Sequence, residues 1–179
     1  NEFEKSAEFR DQIRALTHLQ DVSLIKISPS TPKYRRIEAY DVAHLGGGDA
    51  VGAMVVLENG ELKKSEYRKF KVKHHADDLA NLNEILERRF AHDDWSLSDL
   101  IVIDGGKNQL SVAKNYLTTK KLNIPVVSVV KDERHRPRAI LGDRRFVDWS
   151  ETRRLILLAN HEAHRFAVAF HRRRREKIM

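Results

Sequence analysis

Two aspartates occupy positions at which burying a carboxylate costs free energy. Asp41 lies inside a predicted strand over residues 37–42, on the side that also carries apolar residues, and Asp104 ends the apolar run 100–103. A buried carboxylate must be paired, hydrogen-bonded or bound to a metal. If the two strands are neighbours, Asp41 and Asp104 can share one divalent cation, and oxygen ligands suit Mg²⁺ or Mn²⁺. The ordinary alternatives are a turn residue at Asp104 and a surface residue of an edge strand at Asp41.

Histidines cluster on the last predicted helix, which spans residues 151–175. His161 and His164 are three residues apart, which differs from the four-residue spacing of zinc proteases, and His171 falls on roughly the same face. Beside two carboxylates, a histidine is a metal ligand or a general acid or base near neutral pH. The alternative is a helix whose histidines are solvated or cap a packed face, and the sequence leaves this choice open.

Basic residues are also clustered, and the net charge is +7 with a pI of about 9.7. This balance favours a polyanionic partner, most simply nucleic acid. Aromatic residues make up only 7% of the chain, so contact with backbone phosphates is favoured over base reading. Any single cluster is equally typical of a solvated face. The clusters lie at residues 63–73, 134–145, and at Arg165 with 172–175.

Composition excludes several classes of protein. The 179 residues, 41% apolar and 33% charged, suit one compact domain with a short appendage and exclude a disordered tail. No apolar run approaches the roughly 20 residues of a membrane span. The absence of Cys excludes disulfides, thiolate metal sites and Cys nucleophiles, and it fits a cytoplasmic protein. The chain starts at Asn1, and we expect it to be a piece of a longer protein.

Periodicity predicts the elements that must position these residues. An amphipathic helix over residues 1–20 and a linker over 21–34 precede a main domain over 35–179. The domain is predicted to be α/β: an antiparallel three-strand meander, then alternating helices and strands that give a mixed sheet covered by helices. We expect strands at 37–42, 51–57, 62–70, 100–103 and 126–130, helices at 77–90, 107–121 and 151–175, and an irregular charged segment at 131–150.

Several spaced motifs, in this order, resemble the UvrC family, the incision subunits of bacterial nucleotide excision repair. They are residues 37–44, 64–70, the Asp77-Asp78 pair, 100–110 and 162–167, and the resemblance covers roughly residues 35–175. It implies a ribonuclease H-like fold. It also implies a DNA endonuclease that cuts on the 5′ side of a lesion with a divalent metal, Mg²⁺ or Mn²⁺.

The resemblance also implies roles for individual residues. By motif, Asp41, Asp104 and His164 are catalytic residues and metal ligands, and Asp78 is a further catalytic residue. The sequence differs from the family pattern at Ala43, where Ser is usual, and at His161, where Asp is usual. Positions implied to contact DNA are Lys107, Arg165, Arg172 and Arg173.

The first 20 residues resemble the second half of a UVR motif, which implies a helix that binds UvrB. The implied partners are therefore damaged double-stranded DNA and UvrB, with no membrane. Two alternatives stay open. One is a non-catalytic DNA-binding and UvrB-docking module. The other is a different ribonuclease H-like nuclease, such as a resolvase or an endonuclease acting on deaminated bases.

Overall fold

A computed structural model describes residues 33–44, 50–72, 77–132, 137–142 and 150–175. The predicted UVR-like helix over residues 1–20 and most of the linker lie outside these residues. In the described parts, no helix is long and apolar enough to cross a membrane.

The described residues form seven strands, a 3₁₀ turn and three helices. The elements are β1 (Arg36–His44), β2 (Ala50–Glu58), β3 (Glu61–Leu62), a 3₁₀ turn (Lys64–Glu66), β4 (Arg68–Val72), α1 (Asp78–Phe90), β5 (Leu100–Asp104), α2 (Lys107–Thr119), β6 (Val126–Lys131), β7 (Pro137–Gly142) and α3 (Ser150–Arg175). The strands form one mixed sheet in the order β3-β2-β1-β5-β6-β7, and β4 also pairs with β2. β1, β5 and β6 run parallel to one another, whereas β2 and β7 are antiparallel to their neighbours. This arrangement confirms the predicted α/β class.

Helices cover both faces of the sheet, because the central strands are apolar on both sides. Successive residues of β1 alternate between the faces: Ala39 packs in the cluster beneath α3, and Tyr40 packs in the cluster beneath α1 and α2. β5 shows the same alternation with Val102 and Ile103. Any side chain on β1 or β5 that shares the side of Ala39 or Val102 therefore faces the long helix α3.

The helix α1 approaches the sheet closely at Gly52. A Cβ at this position would lie 2.2 Å from Ile85 Cδ1, so only glycine fits beneath the helix there. Gly52 pairs with Val42 toward the carboxyl end of β1. Arg89, one turn after Ile85, donates to Glu38, which lies nearer the amino end of the same strand. The helix thus runs antiparallel to β1 and begins toward the carboxyl edge of that strand.

The structure corrects the third predicted strand, which was expected to run unbroken over 62–70. It is instead divided into β3 and β4 by the 3₁₀ turn at Lys64–Glu66, and both pieces pair with β2. Lys63, at the break, forms ion pairs with Glu58 and with Glu66, the latter at 2.7 Å. These local pairs draw the chain out of the ladder for a few residues.

The prediction of an irregular segment over 131–150 is also wrong for part of its length. Residues Pro137–Gly142 form β7, which pairs antiparallel with β6 at the edge of the sheet. None of its residues is fully buried. Its apolar run, Ala139 to Leu141, is only three residues long and lies within a charged segment, which is why the local pattern does not predict a strand.

Candidate metal centre

The two aspartates lie side by side because their strands are parallel neighbours. Tyr40 pairs with Ile103 in the ladder between β1 and β5, and Asp41 and Asp104 each follow one residue later. Both side chains take the side of the sheet that faces α3. The two strands are neighbours, the condition on which a shared cation depends, and this brings two carboxylates together at the carboxyl edge of the sheet. Each side chain is only 9% exposed.

The loop after Asp104 turns the chain away from this edge. Gly105 has a φ of 151°, which L side chains rarely adopt. The Gly106 N–H donates to Gln109 Oε1 at 3.0 Å, closing the first turn of α2. Asp104 is therefore the last residue of its strand, and its carboxylate lies at the opening of the site.

His164 of α3 completes the group. Its Nδ1 lies 3.2 Å from Asp41 Oδ2 and 3.7 Å from Asp104 Oδ2. One potential ligand atom from each of the three residues lies within 4.8 Å of the others, and in the described part of the chain no other His, Asp or Glu group does so. The His164 side chain is 48% exposed, so the site opens to solvent on the side of this helix.

The electrostatics of the two carboxylates differ. Burial, together with the neighbouring charge of Asp41, raises the pKa of Asp104 to about 6, although Lys131 acts against this. Burial would also raise the pKa of Asp41, but His164, the hydrogen bond with Asp104 and the charge of Lys131 together outweigh it and lower that pKa. The raised pKa of Asp104 reflects a carboxylate that is buried beside a second negative charge.

Lys131 is a site residue that the sequence analysis missed. It ends β6, the other parallel neighbour of β5, and its Nζ lies 2.5 Å from Asp104 Oδ2. Its signal was available: like Asp104, it follows an apolar strand whose end meets the same edge of the sheet. The predicted irregular segment starts at this residue, so the prediction assigns it no role.

The donor set fits a divalent cation. Two carboxylate oxygens are hard ligands of the kind that Mg²⁺ and Mn²⁺ take, and an imidazole nitrogen is accepted by transition metals. Three protein ligands leave positions for water or substrate. A bound cation would also lower the pKa of Asp104, which burial and the charge of Asp41 raise.

Asp78 is not part of this three-residue group. It is half-buried in the first turn of α1, and the preceding Asp77 caps that helix by accepting from Leu79 and Ala80, both at 3.0 Å. The direction of α1 places its beginning toward the carboxyl edge of β1. A catalytic role for Asp78 stays a prediction.

The residues predicted to contact DNA have different surroundings. Lys107 is exposed at the start of α2. The guanidinium of Arg165, on the exposed side of α3, donates through Nε and Nη2 to the two oxygens of Glu162, both at 2.6 Å. Glu162 is buried and also accepts from the Tyr67 hydroxyl. The side chains of Arg172 and Arg173 lie outside the described ones, although their backbone belongs to α3.

The comparisons with known proteins agree with this arrangement. The fold is ribonuclease H-like. A family model described as the UvrC RNAse H endonuclease domain matches residues 28–168. This match covers well over half of the chain, which therefore belongs to that family.

Relatives over most of the chain have the name UvrABC system protein C. The protein from Clostridium acetobutylicum is 39% identical over 165 residues, which cover 79% of this chain and 26% of the relative. The protein from Caldicellulosiruptor saccharolyticus is 40% identical over 172 residues, which cover 92% of this chain and 28% of the relative. The chain thus spans little more than a quarter of the curated relatives that it matches.

Remote likenesses exist among solved structures. Human endonuclease V matches with a TM-score of 0.44 and 17% identity, over 59% of this chain and 49% of that chain. An endonuclease V from Ciona intestinalis, solved with an inosine-containing 23mer DNA, matches with a TM-score of 0.43 and 17% identity, over 68% of this chain and 58% of that chain. The family assignment does not depend on them.

Proposed function

We propose that this domain is a divalent-metal-dependent endodeoxyribonuclease that makes the 5′ incision of nucleotide excision repair in the cytoplasm. The observation that supports this most directly is the group of Asp41, Asp104 and His164, whose ligand atoms lie within 4.8 Å at the carboxyl edge of parallel strands. Membership of the UvrC RNase H endonuclease family supplies the reaction class, phosphodiester hydrolysis, and the substrate, damaged double-stranded DNA.

Each residue of the group has a proposed task. Asp41 and Asp104 hold the cation through one oxygen each, from strands whose backbone pairing keeps the carboxylates in place. His164 holds it through Nδ1 or transfers a proton at that atom, and Asp78 adds a ligand or positions one. When bound, Mg²⁺ or Mn²⁺ supplies a positive charge that stabilises the transition state at the scissile phosphate.

The DNA backbone is proposed to approach along the exposed side of α3. Arg165 follows His164 directly, and its bidentate bond to Glu162 fixes the guanidinium plane while leaving Nη1 without a role in that pair. Lys107 is exposed just beyond the loop after Asp104. With Arg172 and Arg173, these residues would contact phosphates without reading bases.

The decisive experiment is nicking of supercoiled plasmid in Mn²⁺, Mg²⁺ and EDTA. The parent chain is expected to nick only with a divalent metal, and Asp41→Asn is expected to lose nicking because the neutral amide cannot replace an anionic ligand. The exposed Asp93→Asn is the matched control and should nick as the parent does. Wild-type nicking by Asp41→Asn would overturn the assignment.

The partner is proposed to be UvrB. The relatives are components of a system whose name includes a B protein, and residues 1–20 resemble the second half of a UVR motif. In a pull-down, UvrB should no longer retain the chain when Phe9→Ala and Ile13→Ala are combined. If the parent nicks neither alone nor on a preformed UvrB–DNA complex, the domain is a non-catalytic docking module instead.

A further inference from the structure

Lys131 occupies a position that the proposed ligand set does not explain. Its Nζ lies 2.5 Å from Asp104 Oδ2, and that same oxygen lies 3.7 Å from His164 Nδ1. The ammonium group and the imidazole of His164 therefore approach the same carboxylate oxygen. Its side chain is largely buried, so the contact is not a solvated surface pair.

The sum of the charges in the site indicates a function for Lys131. The Asp41 and Asp104 carboxylates carry one more negative charge than Lys131 offsets. With His164 neutral, as a metal ligand must be, a bound divalent cation would leave the site with one excess positive charge. Without Lys131 the same loaded site would be neutral. A phosphodiester carries one negative charge, so the lysine makes the loaded site complementary to it.

The lysine and a divalent cation also compete for the same oxygen. An ammonium group has three donors, and a carboxylate oxygen engaged by a divalent cation is a poorer acceptor for them. Lys131 lies two residues after Val129, the partner of Asp104 in the ladder, and so on the same side of the sheet, which keeps its Nζ within reach of the mouth of the site when it leaves Asp104. When DNA binds, the strongest hydrogen-bond acceptor available to the Lys131 ammonium group is a phosphate oxygen of the DNA.

We propose that Lys131 is a substrate-binding residue of this centre, which donates to a non-bridging oxygen of the scissile phosphodiester once a divalent cation is bound to Asp104. The inference rests on the proposed nuclease function, whose substrate it specifies. In the metal-free protein Lys131 stabilises the paired carboxylates. In the loaded protein it holds the phosphate and stabilises the negative charge that develops there.

The test compares Lys131→Met, Lys131→Gln and Lys131→Arg in the full chain, with the exposed Lys114→Met as the matched control. Mn²⁺ affinity is measured by calorimetry without DNA. The gain in affinity for a fluorescent DNA duplex on adding Mn²⁺ is measured by anisotropy. The kcat and KM for plasmid nicking are measured separately.

The Met and Gln variants are expected to bind Mn²⁺ at least as tightly as the parent, because a competing positive charge is gone. They should lose the Mn²⁺-dependent gain in DNA affinity and lower kcat by roughly 10²-fold. Lys131→Arg should retain part of the Mn²⁺-dependent gain in DNA affinity and part of kcat, since it keeps the charge and the donors. Lys114→Met should match the parent.

Other outcomes overturn the proposal. Mn²⁺ affinity that falls in both Met and Gln, in step with nicking, would show that Lys131 only holds Asp104 in place. An unchanged Mn²⁺-dependent gain in DNA affinity would show that it does not contact the phosphate. A parent that binds Mn²⁺ but nicks neither alone nor on a preformed UvrB–DNA complex would refute the nuclease function, while the anisotropy measurement would still decide whether Lys131 contacts phosphate.

Discussion

His164 Nδ1 lies 3.2 Å from Asp41 Oδ2, although 123 residues separate them in sequence. The contact exists because α3 packs on the face of the sheet to which Asp41 points. Ala159 and Ala163, small residues on the same helix, are fully buried against that face. The third member of the candidate centre thus depends on the docking of one helix, whereas the two carboxylates are fixed by strand pairing.

Replacing His164 should therefore weaken metal binding without disturbing the carboxylate pair. His164→Ala is expected to lower Mn²⁺ affinity and nicking by at least about tenfold, as loss of a ligand or its support does. The control is His161→Ala, an exposed histidine one turn earlier on α3. Calorimetry with Mn²⁺ measures both variants, and equal losses in the two would refute the assignment of His164.

The pKa of Asp104 predicts how the site responds to pH. Burial and the charge of Asp41 raise this pKa to about 6, so the folded metal-free chain holds the proton more tightly than the unfolded chain does. The resulting contribution to stability is fully present below about pH 4, the ordinary value for an Asp. It is lost as the pH rises through about 6. Ionised Asp104, facing Asp41, His164 and Lys131, is then ready for a cation.

Mn²⁺ affinity should consequently rise by up to about tenfold per pH unit below pH 6, because a proton competes for Asp104, and level off above it. The stabilisation of the fold by Mn²⁺ should likewise be larger at neutral pH than at pH 5. Thermal melts with and without Mn²⁺ across this range measure the effect. An affinity that is flat between pH 5 and 7 would contradict the raised pKa.

Much of this centre could be predicted from sequence because it depends on local patterns. The apolar run that ends at Asp104 reads as a buried strand, and Asp41 shares the side of apolar residues in its own strand. The structure contains both strands, with Asp41 and Asp104 at the positions that these patterns predict. The ends of parallel strands meet at one edge, so these residues come together once β1 and β5 are neighbours, which the sequence pattern leaves as a condition and the structure shows.

The errors lie where tertiary contacts override local pattern. The apolar run of β7, Ala139 to Leu141, is only three residues long within a charged segment, and its pairing with β6 defines it as a strand. The break at Lys63 depends on ion pairs with residues on both sides of it. Lys131 was missed because a lysine after an apolar strand is ordinary until its neighbour is known to be Asp104.

The Arg165–Glu162 pair predicts a specific effect on DNA binding. Arg165→Gln should weaken binding about equally for all sequences and reduce the dependence of affinity on salt by roughly one phosphate contact. Arg165→Lys should not fully restore binding, because a lysine cannot make the bidentate bond to Glu162 that fixes the guanidinium. Anisotropy titrations of duplex DNA at several salt concentrations give both quantities.

The control for this prediction is Arg153→Gln, an exposed arginine twelve residues earlier on α3 and about 18 Å away along the helix axis. It removes the same charge from the same helix. If it reduces affinity and the salt slope as much as Arg165→Gln does, only the net charge of the domain matters, and Arg165 has no special role.

A second buried cluster lies beneath the opposite face of the sheet. Arg89 donates through Nε and Nη2 to the two oxygens of Glu38, at 3.0 and 2.7 Å, and neither side chain is exposed. Glu38 also accepts from Arg36 and from the hydroxyl of Tyr40. These contacts join α1 to β1 three residues before Asp41, on the face that does not carry the metal centre.

Replacing Arg89 by Met should leave the Glu38 carboxylate buried without its main partner and lower the free energy of unfolding by about 3–5 kcal/mol. Arg88→Met, on the preceding residue of α1 with a side chain that is 46% exposed, should cost at most about 1 kcal/mol. Urea unfolding of the two variants tests this. Because the cluster and the metal centre lie on opposite faces, Mn²⁺ affinity at a temperature where both variants are folded should stay at the parent value. Equal costs for the two variants, or a loss of Mn²⁺ affinity in Arg89→Met, would show that this network does not act as an independent support of the fold.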